Sequence, residues 1–201
     1  MLVTGAAGFL VFNVLKNTKL ESESSSLRSR LLPHASEAAS QAGCSAIQRV
    51  PPYADDDREH VSAIPALSTY SSDPPTSGPH LINPLPAGVY SRPPDMGRAI
   101  HSLEHGAAIV WYSPDASGSA LDELKSAMRS APYVIAAPYQ YDQKGGSLPT
   151  GKDMVMVAWH RMESCSDVSA GAAVGFIHRL AFDAGHPSAY RGRAPEAGNA
   201  L

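Results

Sequence analysis

The chain has 201 residues, of which 43% are hydrophobic and 17% are charged, and its formal net charge is -3 at pH 7. This length holds one ordinary globular domain with tails. The slightly acidic balance, with no long basic run, argues against nucleic acid as the main partner. The 17 prolines and 16 glycines indicate a domain with much ordered irregular backbone.

Residues 1–15, MLVTGAAGFLVFNVL, form an uncharged and mainly apolar run. Gly5 and Gly8 resemble the start of a dinucleotide-binding turn, but Val11 stands at the third glycine position and no βαβ pattern follows, so no dinucleotide is expected. The run is shorter than the about 20 apolar residues that span a bilayer, and it lacks the features of a cleaved secretory signal. We therefore predict that residues 1–20 form an apolar helix that contacts membrane lipid or a neighbouring protein subunit.

Two further regions separate this terminus from the regular part of the chain. Residues 21–43 are rich in Ser and Ala and are interpreted as a polar linker or a loosely packed helix. Residues 44–100 are rich in Pro and show no periodicity. The globular domain is expected to span residues 44–201.

Regular secondary structure is predicted after residue 100. Apolar or alternating runs predict strands over 107–112, 133–137 and 153–162. A helix is predicted to begin at an N-cap, Ser119, and to stop before Pro132, and a last helix to be capped by Asp167 or Ser169 and closed by Gly185. This order predicts an α+β fold: a small mixed sheet with two packed helices, long ordered Pro-rich loops and the N-terminal apolar helix.

The chain contains two cysteines, Cys44 and Cys165. A disulfide between them would close a loop of about 120 residues and contribute about 4–5 kcal/mol through chain entropy. It would also place the domain in an oxidising compartment. Two buried reduced thiols are the alternative, and the spacing does not choose between the two.

Two His-containing segments are the best candidates for chemistry. The first, DPPTSGPH over residues 73–80, has three prolines and a glycine, so it is stiff before folding and costs little entropy to order. It either presents His80 at a fixed place, with the hydroxyls of Thr76 and Ser77, or is a rigid surface turn.

The second segment, HSLEHG, begins at His101. On a helix, His101 and His105 would lie about 5–6 Å apart and could bind one metal ion, whereas on a strand they would be too far apart. HSLEH also fits the inverted zinc-peptidase pattern H-x-x-E-H, with Glu104 as general base. Because no further ligand motif follows, peptidase activity is a remote alternative.

The motifs together carry a resemblance to a known family. DPPTSGPH, the Gly-x-Tyr of Gly88 and Tyr90, HSLEHG running into AAIVWY, AAPY, VAWHR and a closing APE occur in this order, with REHV ahead of them. The stretch from about residue 44 to residue 196 resembles the bacterial family called domain of unknown function 3105.

The resemblance implies an extracytoplasmic domain behind one N-terminal membrane segment, with no established activity. It points to five characteristic polar residues: His60, His80, His101, Glu104 and His105. One departure is His160 in VAWHR, where members often carry Gly. The implied compartment is the periplasm or cell surface in bacteria, or a thylakoid lumen or intermembrane space in eukaryotes.

Two classes of function remain. The chain is expected to be a non-catalytic, membrane-anchored accessory or structural subunit of a larger assembly. Alternatively, His60, His80, His101 and His105 converge on a zinc or copper ion, with Glu104 as a ligand or as the hydrogen-bond partner of one.

Overall fold

The computed structural model describes residues 4–54 and 56–201, and for residues 4–16 it describes the backbone only. The helices are α1 (Thr4–Leu31), α2 (Ala35–Gln41), α3 (Met96–Glu104), α4 (Ser119–Met128) and α5 (Ala170–Leu180). The strands are β1 (Gln48–Arg49), β2 (Gly88–Val89), β3 (Ala108–Tyr112), β4 (Val134–Pro138), β5 (Met154–Ala158) and β6 (Arg161–Cys165).

The six strands in this part of the chain form one mixed sheet in the order β1-β6-β5-β3-β4-β2. Strand β4 runs parallel to both of its neighbours, β3 and β2. The remaining pairs, β3 with β5, β5 with β6 and β6 with β1, are antiparallel. The predicted α+β class with a mixed sheet is therefore confirmed.

The sheet is covered on both faces, and its central strands alternate between two apolar clusters. Val110 packs in the cluster that contains Leu124 of α4 and Phe176 of α5. Its neighbour Trp111 packs on the opposite face, against Ile100 of α3. Successive side chains of a strand point to opposite faces, so a continuous apolar run such as β3 is buried along its whole length. Helix α3 therefore packs on one face of the sheet, and helices α4 and α5 pack on the other face.

The single strand predicted over residues 153–162 is wrong. The chain forms a hairpin in which β5 ends at Ala158 and β6 begins at Arg161. His160 turns the chain with a left-handed φ of +55°. The alternation of apolar residues continues through Trp159, and for this reason the sequence pattern does not indicate the turn.

The two helices predicted after residue 100 exist, with shifted ends. The predicted cap Ser119 is wrong, because Gly118 is the N-cap of α4 and makes no side-chain cap. Ser169 does cap α5, accepting a hydrogen bond from the backbone of Ala172. Helix α5 ends at Leu180, earlier than the predicted closing glycine. Helix α3 was not predicted beyond a single turn.

Helix α1 is held to the domain by hydrogen bonds at the C-terminus of α4. The Ser24 hydroxyl donates to the carbonyl of Ser126 at 2.8 Å. The Arg28 guanidinium donates to the carbonyls of Ala127 and Arg129 at 2.8 and 3.0 Å. The last carbonyls of a helix have no partner within it and carry its negative dipole end, so these two side chains of α1 satisfy groups that would otherwise be unpaired.

Residues 21–41 are helical, and α2 packs closely on α5. A Cβ built on Gly171 would lie 2.6 Å from Cβ of Ala38, and one on Gly175 would lie 2.7 Å from Cβ of Ala35. The two glycines are four residues apart on α5 and therefore share one face. Their missing side chains form the groove that receives α2.

The two cysteines form a disulfide bond, so the alternative of two reduced thiols is wrong. The bond joins Cys44, shortly after α2, to Cys165, the last residue of β6. It therefore ties the N-terminal helices to one side of the sheet, close to the groove in α5.

The predicted N-terminal helix exists as α1, which begins at Thr4. The side chains of the apolar run, residues 1–15, lie outside the described residues. Within the part of the chain that is described, no helix has both the length and the apolar character needed to cross a bilayer. Contact of residues 1–20 with a membrane or a subunit stays a prediction.

Candidate metal centre

The His-containing segments meet on the α3 face of the sheet. His60, His80, His101 and Glu104 each offer one ligand atom, and these four atoms all lie within 4.8 Å of one another. The Nε2 atom of His105 lies 2.9 Å from Nε2 of His101. The structure thus brings together all five of the residues that the sequence singled out.

Helix α3 supplies His101 and Glu104, and its C-cap residue is His105. The Asp95 carboxylate accepts a hydrogen bond from the backbone of Arg98 and starts the helix, which has nine residues and an amphipathic pattern. His101 and His105 lie one turn apart, and their ring centroids are 4.5 Å from each other. The expectation of only one helical turn before the strand is wrong, because residues 96–100 extend the helix.

The DPPTSGPH segment is buried, so its interpretation as a surface turn is wrong. The side chain of His80 is completely inaccessible. Gly78 has a φ of +124°, and a Cβ there would lie 2.7 Å from the ring of Tyr70. The hydroxyl of Tyr70 donates to the carbonyl of Pro79 at 2.6 Å. The ring therefore packs where only a glycine leaves room, and it fixes the backbone next to His80.

His60 lies on the exposed side of the cluster. Its backbone is paired with that of His80: the amide of His80 donates to the carbonyl of Glu59, and the amide of Val61 donates to the carbonyl of His80, both at 2.9 Å. The ring centroid of His60 is 4.9 Å from those of His80 and His101. It is the side chain through which solvent reaches the cluster.

Three of the imidazoles are oriented by backbone carbonyl groups. The contacts join Nδ1 of His80 to the carbonyl of Gly78 at 2.8 Å, Nδ1 of His101 to that of Leu81 at 2.7 Å, and Nδ1 of His105 to that of Ala200 at 2.7 Å. A carbonyl oxygen only accepts, so each Nδ1 carries the proton. In a neutral imidazole the Nε2 atom then has a free lone pair, which is the arrangement usual for a metal-binding histidine.

These lone pairs face groups that cannot donate to them. Nε2 of His101 and Nε2 of His105 approach to 2.9 Å. Nε2 of His80 is buried and lies 3.1 Å from an oxygen of Glu104. With a neutral ring this pair is repulsive, whereas a proton or a metal ion held between the two atoms makes it attractive. Two ligand atoms of one tetrahedral zinc ion are about 3.3 Å apart. A cation between these atoms would turn each repulsive contact into an attractive one.

Glu104 is the one buried carboxylate of the cluster, with 1% of its surface exposed. Arg58 donates to its Oε1 atom through Nε. Burial raises the pKa of Glu104, but the interactions with His80 and Arg58 outweigh it and lower the pKa to about 2. The group is therefore a carboxylate throughout the physiological range, and its charge must be compensated inside the fold.

Burial also affects His101. It lowers the pKa of this imidazole, and the neighbouring His80, His105 and His60 act in the same direction, while the hydrogen bond to the carbonyl of Leu81 opposes them. The neutral form, which is the one that binds metal, is thus favoured at this position.

The C-terminal segment, residues 194–201, lies along the end of α3 and closes one side of the cluster. The amide of Glu196 donates to the carbonyl of Glu104, and the amide of Gly198 donates to that of His105, both at 3.1 Å. The Glu196 carboxylate receives a hydrogen bond from Arg58 at 2.8 Å and lies 3.5 Å from Nε2 of His105. The segment therefore binds the backbone at the end of α3 and places the charge of Glu196 beside Arg58 and His105.

A second polar group fixes the loop that leads to His60. The Asp57 carboxylate accepts from the Ser77 hydroxyl at 2.5 Å, from the backbone of Tyr53 at 2.6 Å and from Nε2 of His160 at 2.7 Å. Since Asp57 lies three residues before His60, these bonds connect the exposed ligand to the DPPTSGPH segment and to the β5–β6 turn.

Sequence reasoning missed three contributors: Arg58, Glu196 and the pair of Asp57 with His160. All three involve motifs noted in the sequence, REHV, VAWHR and APE, and these motifs were the available signal. The remaining histidines lie apart from the cluster: His34, His178 and His186 are exposed.

Fold and site define an α+β domain in which two His-containing motifs surround a buried carboxylate. The family model described as "Protein of unknown function (DUF3105)" matches residues 60–195, well over half of the chain. The chain therefore belongs to this family, as its motifs predicted. Neither the curated proteins nor the solved structures include a significant match.

Two substitutions of His160 test its hydrogen bond to Asp57 and the strain of its left-handed backbone. His160→Ala removes the hydrogen bond and keeps a side chain at φ +55°, so we expect unfolding free energy to fall by about 1–2 kcal/mol. His160→Gly loses the same bond but relieves the backbone, and we expect it to be about 1 kcal/mol more stable than the alanine variant. Urea unfolding of both variants measures the difference.

His178→Ala, an exposed histidine on α5, is the matched control and should unfold like the original chain. Equal stability of the alanine and glycine variants at position 160 would contradict the strain at this turn.

Proposed function

We propose that this chain binds one zinc or copper ion at the cluster of His60, His80, His101 and Glu104, with His105, which contacts His101, as a further ligand. One observation carries the proposal. The ligand atoms of His60, His80, His101 and Glu104 all lie within 4.8 Å of one another, and backbone carbonyl groups hold the Nδ1 protons of His80 and His101. Imidazole nitrogen is a preferred ligand of zinc and copper, and orientation by a hydrogen bond at the other ring nitrogen is the usual support of a metal site.

The contacts of Glu104 favour binding over peptidase chemistry. Its Oε1 accepts from Arg58, and its Oε2 faces His80 at 3.1 Å. A general base needs a free oxygen within reach of a water molecule and a pKa near the working pH. Glu104 has neither, so its charge stabilises the bound cation instead. The exposed His60 leaves one side of the site accessible, which suits an ion that is taken up and released.

Metal titration tests this proposal. The full chain is stripped with a chelator and titrated with Zn²⁺ and with Cu²⁺, and bound metal is counted by mass spectrometry. We expect one ion per chain, and at least about 100-fold weaker binding in His80→Ala and in His101→Ala, because each variant removes a nitrogen ligand from a site whose outer hydrogen bonds alone are worth 10- to 100-fold.

His178→Ala serves as the control, since His178 lies on the other face of the sheet and should leave the affinity unchanged. Absence of stoichiometric metal in the unaltered chain would overturn the proposal, and so would full retention of binding in both site variants.

The C-terminal segment offers a finer test. A chain that ends at Gly198 lacks the Ala200 carbonyl that orients His105. We expect its affinity for the ion to fall about 10- to 100-fold, as is typical when an outer hydrogen-bond partner of a ligand is lost. Competition with a chromophoric chelator measures the change. An unaltered affinity would show that His105 needs no such support.

A second candidate function concerns the N-terminus. An accessory subunit held at a membrane on the extracytoplasmic side is supported by the uncharged run of residues 1–15. It is also supported by the disulfide, because such bonds persist in oxidising compartments. Both functions are compatible, since the cluster of histidines lies in a different part of the chain.

Flotation with lipid vesicles tests this attachment. The full chain should float with vesicles of phosphatidylcholine and phosphatidylglycerol, and a chain lacking residues 2–15 should stay in the dense fraction, because the apolar run supplies the surface that partitions into lipid. Ile82→Asp is the control, since Ile82 is an exposed large apolar side chain of the domain itself. Flotation that survives the deletion, or that is lost in the control, would contradict attachment through residues 1–15.

A further inference from the structure

The disulfide lies on the face of the sheet opposite to the histidine cluster, and its two cysteines differ in burial. Cys165 is completely buried in the apolar cluster that contains α4 and α5. Cys44 is only partly buried and lies at the edge of that cluster. A reagent from solvent therefore reaches the sulfur of Cys44 first.

A buried acid accompanies this bond. Glu163 lies two residues before Cys165 on β6, so their side chains share one face of the sheet. Glu163 as a whole residue is 7% exposed, and one of its oxygens lies within 4.8 Å of both sulfur atoms. Among the described residues none forms a hydrogen bond with it, and Arg179 of α5 is the charge that acts on it.

The structural role of the disulfide does not explain this acid. A carboxylate that is so little exposed and has no hydrogen bond from the described residues is unfavourable, and a redox role is one explanation for such a group. Burial raises the pKa of Glu163 to about 7, against the attraction of Arg179. At neutral pH the group is therefore able both to give and to take a proton beside the two sulfurs.

We propose that Cys44–Cys165 is a redox-active disulfide that exchanges with an external thiol, and that Glu163 is the proton donor to the sulfur of Cys165. The external thiolate attacks Sγ of Cys44, and a new sulfur–sulfur bond forms there. The bond between the two cysteines breaks, and its electron pair passes to Sγ of Cys165. That sulfur takes the proton of the Glu163 carboxyl group, so a thiol and a carboxylate result and the total charge is unchanged.

The proton transfer avoids an unpaired negative charge in the apolar cluster. A thiolate at Cys165 would place an unpaired charge in an apolar cluster, which is costly, whereas a thiol behaves there as a small apolar group. The charge moves instead to Glu163, where Arg179 attracts it. In the reverse direction the carboxylate removes the proton from Cys165 and prepares it to attack the mixed disulfide on Cys44.

The rate of reduction tests the role of Glu163. The full oxidised chain is treated with excess glutathione at neutral pH, quenched with acid, alkylated and analysed by mass spectrometry. We expect Glu163→Gln to react at least about tenfold more slowly, because proton transfer by a positioned side chain contributes at least that much. Glu123→Gln, an exposed glutamate on α4, should react at the original rate.

The direction of the change separates the proposal from a structural role. A variant that merely loosens this region would expose the disulfide and be reduced faster, so an equal or faster rate in Glu163→Gln overturns the proposal. The unaltered chain supplies an independent result: the first glutathione adduct should form on Cys44. An adduct on Cys165, or reduction at the rate of an unfolded control chain, would also overturn it.

Discussion

A buried negative charge organises the α3 face of this domain. The carboxylate of Glu104 is almost inaccessible, and an uncompensated charge in that position would be strongly destabilising. Arg58 pairs with it from the loop before His60, and Nε2 of His80, on the stiff Pro-rich segment, lies 3.1 Å from its other oxygen. Arg58 also binds Glu196 and so recruits the C-terminal segment. Three stretches far apart in the sequence are thereby drawn to the end of one helix.

The sequence predicted the parts of this arrangement that depend on local physics. Two histidines four residues apart on a helix must meet, so the contact of His101 with His105 could be anticipated. The approach of His60 and His80 was expected only from the hypothesis that the histidines share one metal site. The carbonyl acceptors of the imidazoles could not be anticipated, because every residue has a carbonyl group and only the fold selects those of Gly78, Leu81 and Ala200. The hairpin was missed for a related reason: the alternation of apolar residues does not indicate where a residue with a left-handed backbone, such as His160, turns the chain.

The sheet keeps two kinds of chemistry apart. Imidazoles and the carboxylate lie on the α3 face, and the disulfide with Glu163 lies on the face of α4 and α5. The buried strand β5 and the partly buried strand β6 lie between the two sites and separate them. The hairpin turn is itself fixed by the bond from His160 to Asp57. The two sites are therefore suited to act independently within one small domain.

The anchoring of His105 by the carbonyl of Ala200 has a consequence for biogenesis. A chain leaving a ribosome or a translocation channel exposes α3 long before residue 200 emerges. Until that carbonyl arrives, the imidazole of His105 is free to rotate and the cluster is incomplete. An ion that needs this imidazole would accordingly be acquired only after the segment around residue 200 has packed against α3.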